Sequence, residues 1–522
     1  MIQSWSVCDK GRSSWRPLFF SLLFVCAAAQ ARTTHVTLLH FSDYHSHALP
    51  FYSEGREAQG GIARAVGYLR GEKRRGALVF SGGDMVNKGS PAWSDKYRCA
   101  EWPWLNGIVD AMAFGNHDPD YGIRAMQTCL DAIRYPVLSA NTNGFPPSRV
   151  FVVNGIRVGV FAVAGSDFKT LVKEPMLHFD DPVPAARDAV RDLREKQHAD
   201  VVVMIGHEHL DDDFALARSV PGIDLIFGSH SHLKRGLMRI DGTSTWFLSP
   251  FQYLTYISRV VLTFEDHKLV GVRGGLVRVD AHMPNDAAIA RRVVTMEHDL
   301  ERDPQYAPLF ATIGTLNAPM SVEAFAKKSV EIMRDAVHAD VALSTASSFR
   351  QALPRGRVTL EALRAAMPYD NEIVVYSLRG DAVQNLLAYG DSRKGSDSFA
   401  IVAGPTLIDP VRTYRVATTD YLARTAAGYR DFFEGLTGET PGLRVRDEVR
   451  KWIARQRHGA LASRRLARGR LAPALAILHT VACNLRSAAR RQRSGRECVE
   501  LAATPSVTAI LDRRSIIDMM QP

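Results

Sequence analysis

Cysteine is scarce in this chain, with six among 522 residues. No dense disulfide framework can carry the fold, and the length points instead to more than one hydrophobic core. Long apolar runs are missing too: the stretch 18–29 falls short of the roughly 20 residues needed to span a bilayer as a helix. One segment lacks acid altogether. Between Arg455 and Arg496 there are 11 arginines and no Asp, Glu or Lys; without them the formal net charge of +10 becomes one unit negative. The body of the protein therefore has no overall basic surface for nucleic acid, and no specific nucleic-acid partner is expected. After Gln456 the text turns Arg/Ala/Leu-rich, as in Arg464-Arg465-Leu466-Ala467-Arg468-Gly469-Arg470. Residues 457–522 read as a basic, disordered appendage, although such a run could also touch anionic lipid or nucleic acid.

The other end carries a different signature. Lys10, Arg12 and Arg16 precede the apolar stretch 18–29, and Ala29-Gln30-Ala31 offers small residues before Arg32. This is the pattern of a cleaved secretory signal over residues 1–31, so the mature chain is expected to be exported to the periplasm without a transmembrane segment. Cleavage removes Cys8 and Cys26. Cys99 and Cys129, on helix-like stretches flanking Gly115-Asn116-His117-Asp118, could then close a disulfide loop or remain two buried thiols.

Five short apolar runs, 35–41, 77–81, 111–114, 201–205 and 223–227, have strand length and stop at Gly, Asn, Asp or Ser. Each is followed by side chains that ligate metals: Asp43 and His45, Asp84, Asn116, His207, and His230 with His232. Helix-like stretches 62–74, 121–133 and 184–197 alternate with them, which predicts a layered α/β architecture with its site at the carboxyl ends of strands. Taken singly, each piece has an ordinary meaning. Gly-Gly-Asp is a turn or helix cap, Gly-Asn-His-Asp fits a type I′ turn, and the alternating His207/His209 and His230/His232 pairs could make routine hydrogen bonds. Taken as a set, they supply a bridging carboxylate and mixed nitrogen and oxygen ligands for two divalent cations, the equipment of a two-metal hydrolase.

The segments 39–45, 81–84, Gly115-Asn116-His117-Asp118-Pro119-Asp120-Tyr121-Gly122 and Gly228-Ser229-His230-Ser231-His232 resemble the calcineurin-like metallophosphoesterases, and within them the secreted 5′-nucleotidase and UDP-sugar hydrolase branch. That resemblance spans roughly 35–455. It implies an N-terminal four-layer β-sandwich flanked by helices and a smaller α/β C-terminal domain. It also implies that Asp43, His45 and His232 hold one metal, that Asn116, His207 and His230 hold the other, and that Asp84 bridges them. His117 would be the catalytic imidazole, oriented by Asp120. Metal identity stays open among Mn, Zn, Fe and Co. His47 and His209 have no slot in this scheme and read as nearby histidines. Ser229 stands where the family often has Gly, and fits if its backbone does not need positive φ.

The expected organisation is a catalytic domain at 32–285, a helical linker at 286–320 and a substrate-recognition domain at 321–456. In the last, Arg350 takes the place of a substrate-contacting arginine. Phe399 and Tyr421 are the candidates for two rings that sandwich a nucleobase. Ala427, in Thr425-Ala426-Ala427-Gly428-Tyr429, replaces the acid that the family pattern places against the nucleoside. The substrate is therefore expected to be a small phosphoester, in the first place a nucleotide. UDP-sugars, 2′,3′-cyclic nucleotides, the sulfur species handled by a thiosulfate-oxidising relative of the same fold, and binding without catalysis are the alternatives.

Overall fold

A computed structural model describes residues 32–456; the secretory-signal and basic-tail expectations lie outside them. Two six-stranded sheets stack face to face. In the first, the strands run in the order Lys268–Arg278, Tyr256–Glu265, Thr33–Phe41, Leu78–Ser81, Ala111–Ala113, Val137–Leu138. In the second the order is Lys234–Arg239, Trp246–Pro250, Leu225–Phe227, Val201–Met204, Ile156–Phe161, Ser148–Val153.

Period-two alternation sorts the side chains into layers. Leu38, Phe80, Ala113, Val203 and Phe227 meet between the sheets. Leu39, Val79 and Met112 turn outward onto helices Ile62–Arg74, Ile123–Ala132 and Ala287–Arg302. On the far side, Val202, Met204 and Ile226 pack on Pro182–Arg191 and Leu210–Ser219. The result is the four-layer helix–sheet–sheet–helix sandwich that the resemblance implies.

Three of the five expected site strands are parallel neighbours in the first sheet: Thr33–Phe41 pairs with Leu78–Ser81, which pairs with Ala111–Ala113. Val201–Met204 pairs in parallel with Leu225–Phe227 in the facing sheet. Parallel pairing places the ends of these strands, and the loops that follow them, at one edge of the sandwich.

A second, smaller domain is built around a four-stranded sheet in the order Ile373–Arg379, Thr413–Thr419, Val341–Thr345, Ala400–Ala403. Helix Val322–Ala336 packs on it, and its start is capped by Ser321 Oγ, which accepts from Ala324 N at 3.1 Å. The segment read as a helical linker does contain helix Ala287–Arg302, but it also holds strand Thr312–Leu316, paired antiparallel with Gly356–Thr359. Leu316 belongs to the second domain's core, so this strand packs with the elements that follow it. Cys99 and Cys129 are joined as a disulfide, Cα to Cα 5.7 Å. Among the described residues no helix is long and apolar enough to cross a membrane.

Candidate metal centre and substrate cleft

The loops after Phe41 and Ser81 run together as a short backbone ladder. Asp43 N donates to Gly83 O at 3.1 Å, and His45 N donates to Asp84 O at 2.9 Å. The third loop closes on the second: His117 N donates to Asp84 Oδ1 at 2.8 Å. Gly115 allows this approach, because a Cβ there would lie 2.2 Å from Asp84 N. Asp118 locks the junction by accepting from Met85 N and Gly115 N, both at 2.8 Å. Burial, reinforced by the charge of Asp84, raises its carboxyl to about 7. The sequence reading gave Asp118 no role; its place is to tie two ligand loops together.

The expected ligands converge. Asp43, His45, Asp84 and His232 form one cluster and Asp84, His207 and His230 another, so Asp84 belongs to both, as a bridging carboxylate must. His232 Nε2 is 3.1 Å from Asp43 Oδ1 and 3.0 Å from His45 Nε2, while His207 Nε2 is 3.2 Å from Asp84 Oδ2. His45 Nδ1 and His207 Nδ1 face the carbonyls of Val86 at 3.1 Å and Gly82 at 2.6 Å, which leaves each Nε2 turned inward. Both Asp43 oxygens, Asn116 Oδ1 and His207 Nε2 are buried without a hydrogen-bond partner among the described residues. Buried polar atoms of that kind carry a desolvation cost that a bound cation removes, so the residues fit the metals the fold implies. Burial pushes His45 down to about 3, the neutral form that ligation requires. It opposes protonation of His207 too, but Asp84 and Asp43 outweigh it and raise that group to about 9. That excess of negative charge is what cations would neutralise.

His117 lies beside the clusters and outside both. Its Nδ1 is 2.8 Å from Asp120 Oδ2, which also accepts from Lys88 N at 2.9 Å. Burial works against its charge, yet Asp120 and Asp84 prevail and lift it to about 10. Ser229 is not among the residues at positive φ, and its hydroxyl donates to Gly206 O at 2.5 Å, so the serine is accommodated as expected.

His47 is more than a neighbour. It stacks on Tyr253 at 3.6 Å between ring centroids, and Tyr253 sits edge-on to His45 and fixes the Asp43 carbonyl through its own N–H at 2.8 Å. His209 lies 3.0 Å from Asp167 Oδ2 and 3.2 Å from His230 Nε2. Asp167 follows the apolar run 156–164, so the strand-end rule that exposed the other ligands could have exposed it as well.

A cleft of about 200 Å³ opens over this floor, lined by Asp84, His117 and His232 below and by Arg350, Tyr369 and Tyr421 from the second domain above. Arg350 donates from Nη1 to the ring of His232 and from Nη2 to Tyr369 Oη at 2.8 Å. An adjoining cleft of about 390 Å³ shares Tyr421 and adds Tyr389, Arg393, Ala427 and Tyr429. Phe399 lines neither of these two clefts, although its neighbours Asp397 and Ser398 do. Its backbone carbonyl is taken by Ala346 N at 2.8 Å, and Tyr389 and Tyr429 line the adjoining cleft together with Tyr421.

Two family models match the chain, calcineurin-like phosphoesterase over residues 36–234 and the 5′-nucleotidase C-terminal domain over residues 318–407. Protein UshA of Yersinia enterocolitica is 22% identical over 497 residues, covering 79% of this chain and 89% of the relative. A 5′-nucleotidase precursor from Thermus thermophilus has a similar fold, with TM-score 0.64 at 21% identity over 81% of this chain and 97% of that one. The sulfate thiohydrolase SoxB of the same organism is as similar in fold, with TM-score 0.63 at 20% identity over 81% and 94% of the two chains.

Proposed function

We propose, for a chain that belongs to the 5′-nucleotidase family of calcineurin-like metallophosphoesterases, that it is an exported hydrolase releasing phosphate from nucleoside 5′-monophosphates. The observation that carries this reading is the His117–Asp120 pair, 2.8 Å apart, standing between the Asp84-centred ligand clusters and a cleft roofed by the second domain. Asp43, His45, Asp84 and His232 would hold one divalent cation, and Asp84, Asn116, His207 and His230 the other. Bound there, such a pair would supply Lewis-acid polarisation of phosphoryl oxygens and a water of lowered pKa. His117, kept protonated by Asp120, donates toward the phosphoryl group or the departing oxygen. Arg350 presents a planar guanidinium beside His232 and so suits a phosphate oxygen pair. Tyr421 offers a half-exposed face on which a base can stack.

Division of labour follows the two domains, with chemistry at 32–285 and leaving-group recognition at 321–456. Export fits the Cys99–Cys129 disulfide, a bond that persists in oxidising compartments. Ala427, lining the adjoining cleft where the family pattern has an acid, supports a second reading. In it the same metals serve a different leaving group, such as a UDP-sugar, a 2′,3′-cyclic nucleotide or a sulfur-linked species. Phosphate release from a panel of 5′-mononucleotides, UDP-glucose and cyclic nucleotides, with metal-reconstituted protein, separates the two. Mononucleotides turned over fastest support the first reading, and their failure beside an active UDP-sugar or cyclic substrate supports the second.

A further inference from the structure

Beside the two Asp84-centred clusters, and sharing His230 with one of them, lies a third group of side chains able to ligate a metal, Asp167, His209 and His230. Asp167 Oδ2 is 3.0 Å from His209 Nε2 and 3.2 Å from His230 Nε2, and the two nitrogens are 3.2 Å from each other. Hydrogen bonding cannot satisfy all three edges of this triangle. A carboxylate oxygen only accepts. If both ring nitrogens carry protons, two N–H groups face each other; if one does not, its lone pair faces the carboxylate. With Asp167 ionised, every arrangement of protons on the two rings therefore leaves at least one repulsive edge.

A cation resolves the conflict, because all three atoms can then act as lone-pair donors to one centre. With metal–ligand bonds of about 2.0–2.1 Å, adjacent ligand atoms lie about 2.8–3.0 Å apart around an octahedral ion and about 3.3–3.4 Å around a tetrahedral one, and the edges found here span that interval. The neighbouring clusters show similar edges, such as His45 Nε2 to His232 Nε2 at 3.0 Å.

Two further features belong to a metal site. His209 Nδ1 is 3.2 Å from Asp397 Oδ2, so a carboxylate of the second domain fixes the tautomer that leaves Nε2 free, the usual outer support of a ligating imidazole. Asp167 Oδ1 is buried with no partner among the described residues. All four side chains line the cleft.

We propose that Asp167, His209 and His230 form a third divalent-cation site, suited by its nitrogen and oxygen donors to zinc, manganese or cobalt. This goes beyond the two-metal reading and touches it through His230: each ring nitrogen has one lone pair, so both ions are held at once only when His230 gives Nε2 here and Nδ1 to the other site as an imidazolate, its ring proton released to solvent. The third ion is accordingly the weaker and loads last. Because Asp397 reaches His209 from the second domain, the site is assembled by both domains together.

The test is anomalous diffraction from crystals of the full chain equilibrated with millimolar Zn²⁺, paired with metal equivalents per chain measured in solution. Wild type is expected to show a peak bounded by Asp167, His209 and His230 in addition to peaks at the Asp84 clusters. His209→Ala and Asp167→Asn should each lose that peak and one metal equivalent while the Asp84 peaks remain. Peaks confined to the Asp84 clusters in wild type, or a third peak that survives His209→Ala, would overturn the third site and leave the two-metal reading standing. Absence of any peak would overturn both.

Discussion

On the floor of the cleft, five of the expected ligands, Asp43, His45, Asp84, His230 and His232, hold positive φ, and several polar atoms there are buried without partners among the described residues. On the roof, Arg350 is already hydrogen-bonded to Ser347 O and Tyr369, and Tyr421 is 37% exposed. The floor keeps strained backbone and desolvated charge that the proposed cations would offset. The roof residues Arg350 and Tyr421 are hydrogen-bonded or partly solvated. In the proposed reading the floor carries the reaction type and the roof selects the leaving group. Ala427 is the clearest instance: a family acid is replaced there while every floor position is filled.

The sharpest way to break this contrast is Asp84→Ala, which removes the carboxylate common to both clusters. Phosphate release is expected to fall by at least about a thousandfold, together with loss of bound metal in elemental analysis. His117→Asn should lower kcat by about 10²–10⁴-fold while metal content and KM stay near wild type, because the imidazole acts on the reacting groups and not on the ions.

On the roof, Tyr421→Ala should raise KM for a nucleotide by about tenfold, in line with the loss of one stacked base, and leave turnover of a small alkyl phosphate unchanged. An equal effect on both substrates would place Tyr421 in the chemistry and erase the distinction.

The smallest effect concerns stability alone. Glu101 is buried against Tyr44 Oη at 3.0 Å and Trp93 Nε1, and burial raises its carboxyl from 4.5 to about 7. The folded state thus holds this proton more tightly than the unfolded one. Its contribution is complete below pH 4.5 and is lost as pH climbs to 7. Glu101→Gln should exceed wild type by on the order of 2 kcal/mol at about pH 8 in denaturant melts and match it near pH 4.

Much of the floor is legible in the sequence because its residues obey one local rule, an apolar strand followed by a ligand. Helix Ile62–Arg74 emerges with the bounds the pattern gives. Asp167 follows the same rule after strand Ile156–Phe161, yet that run is not among the five from which the ligands were read. The roles of Asp118 and Tyr253 are backbone roles, set by which N–H they accept from or donate, and no side-chain pattern announces them. Asp397 reaches His209 from a distant part of the chain, so only the folded arrangement of the two domains reveals it.

The most direct test of the account is metal-dependent phosphate release from adenosine and uridine 5′-monophosphates, measured beside a generic aryl phosphate with wild type and His117→Asn. The account predicts faster release from the nucleotides, abolished by chelation, restored by Mn²⁺ or Zn²⁺, and strongly reduced in the variant. Metal-independent release, or release unaffected by His117→Asn, would contradict it.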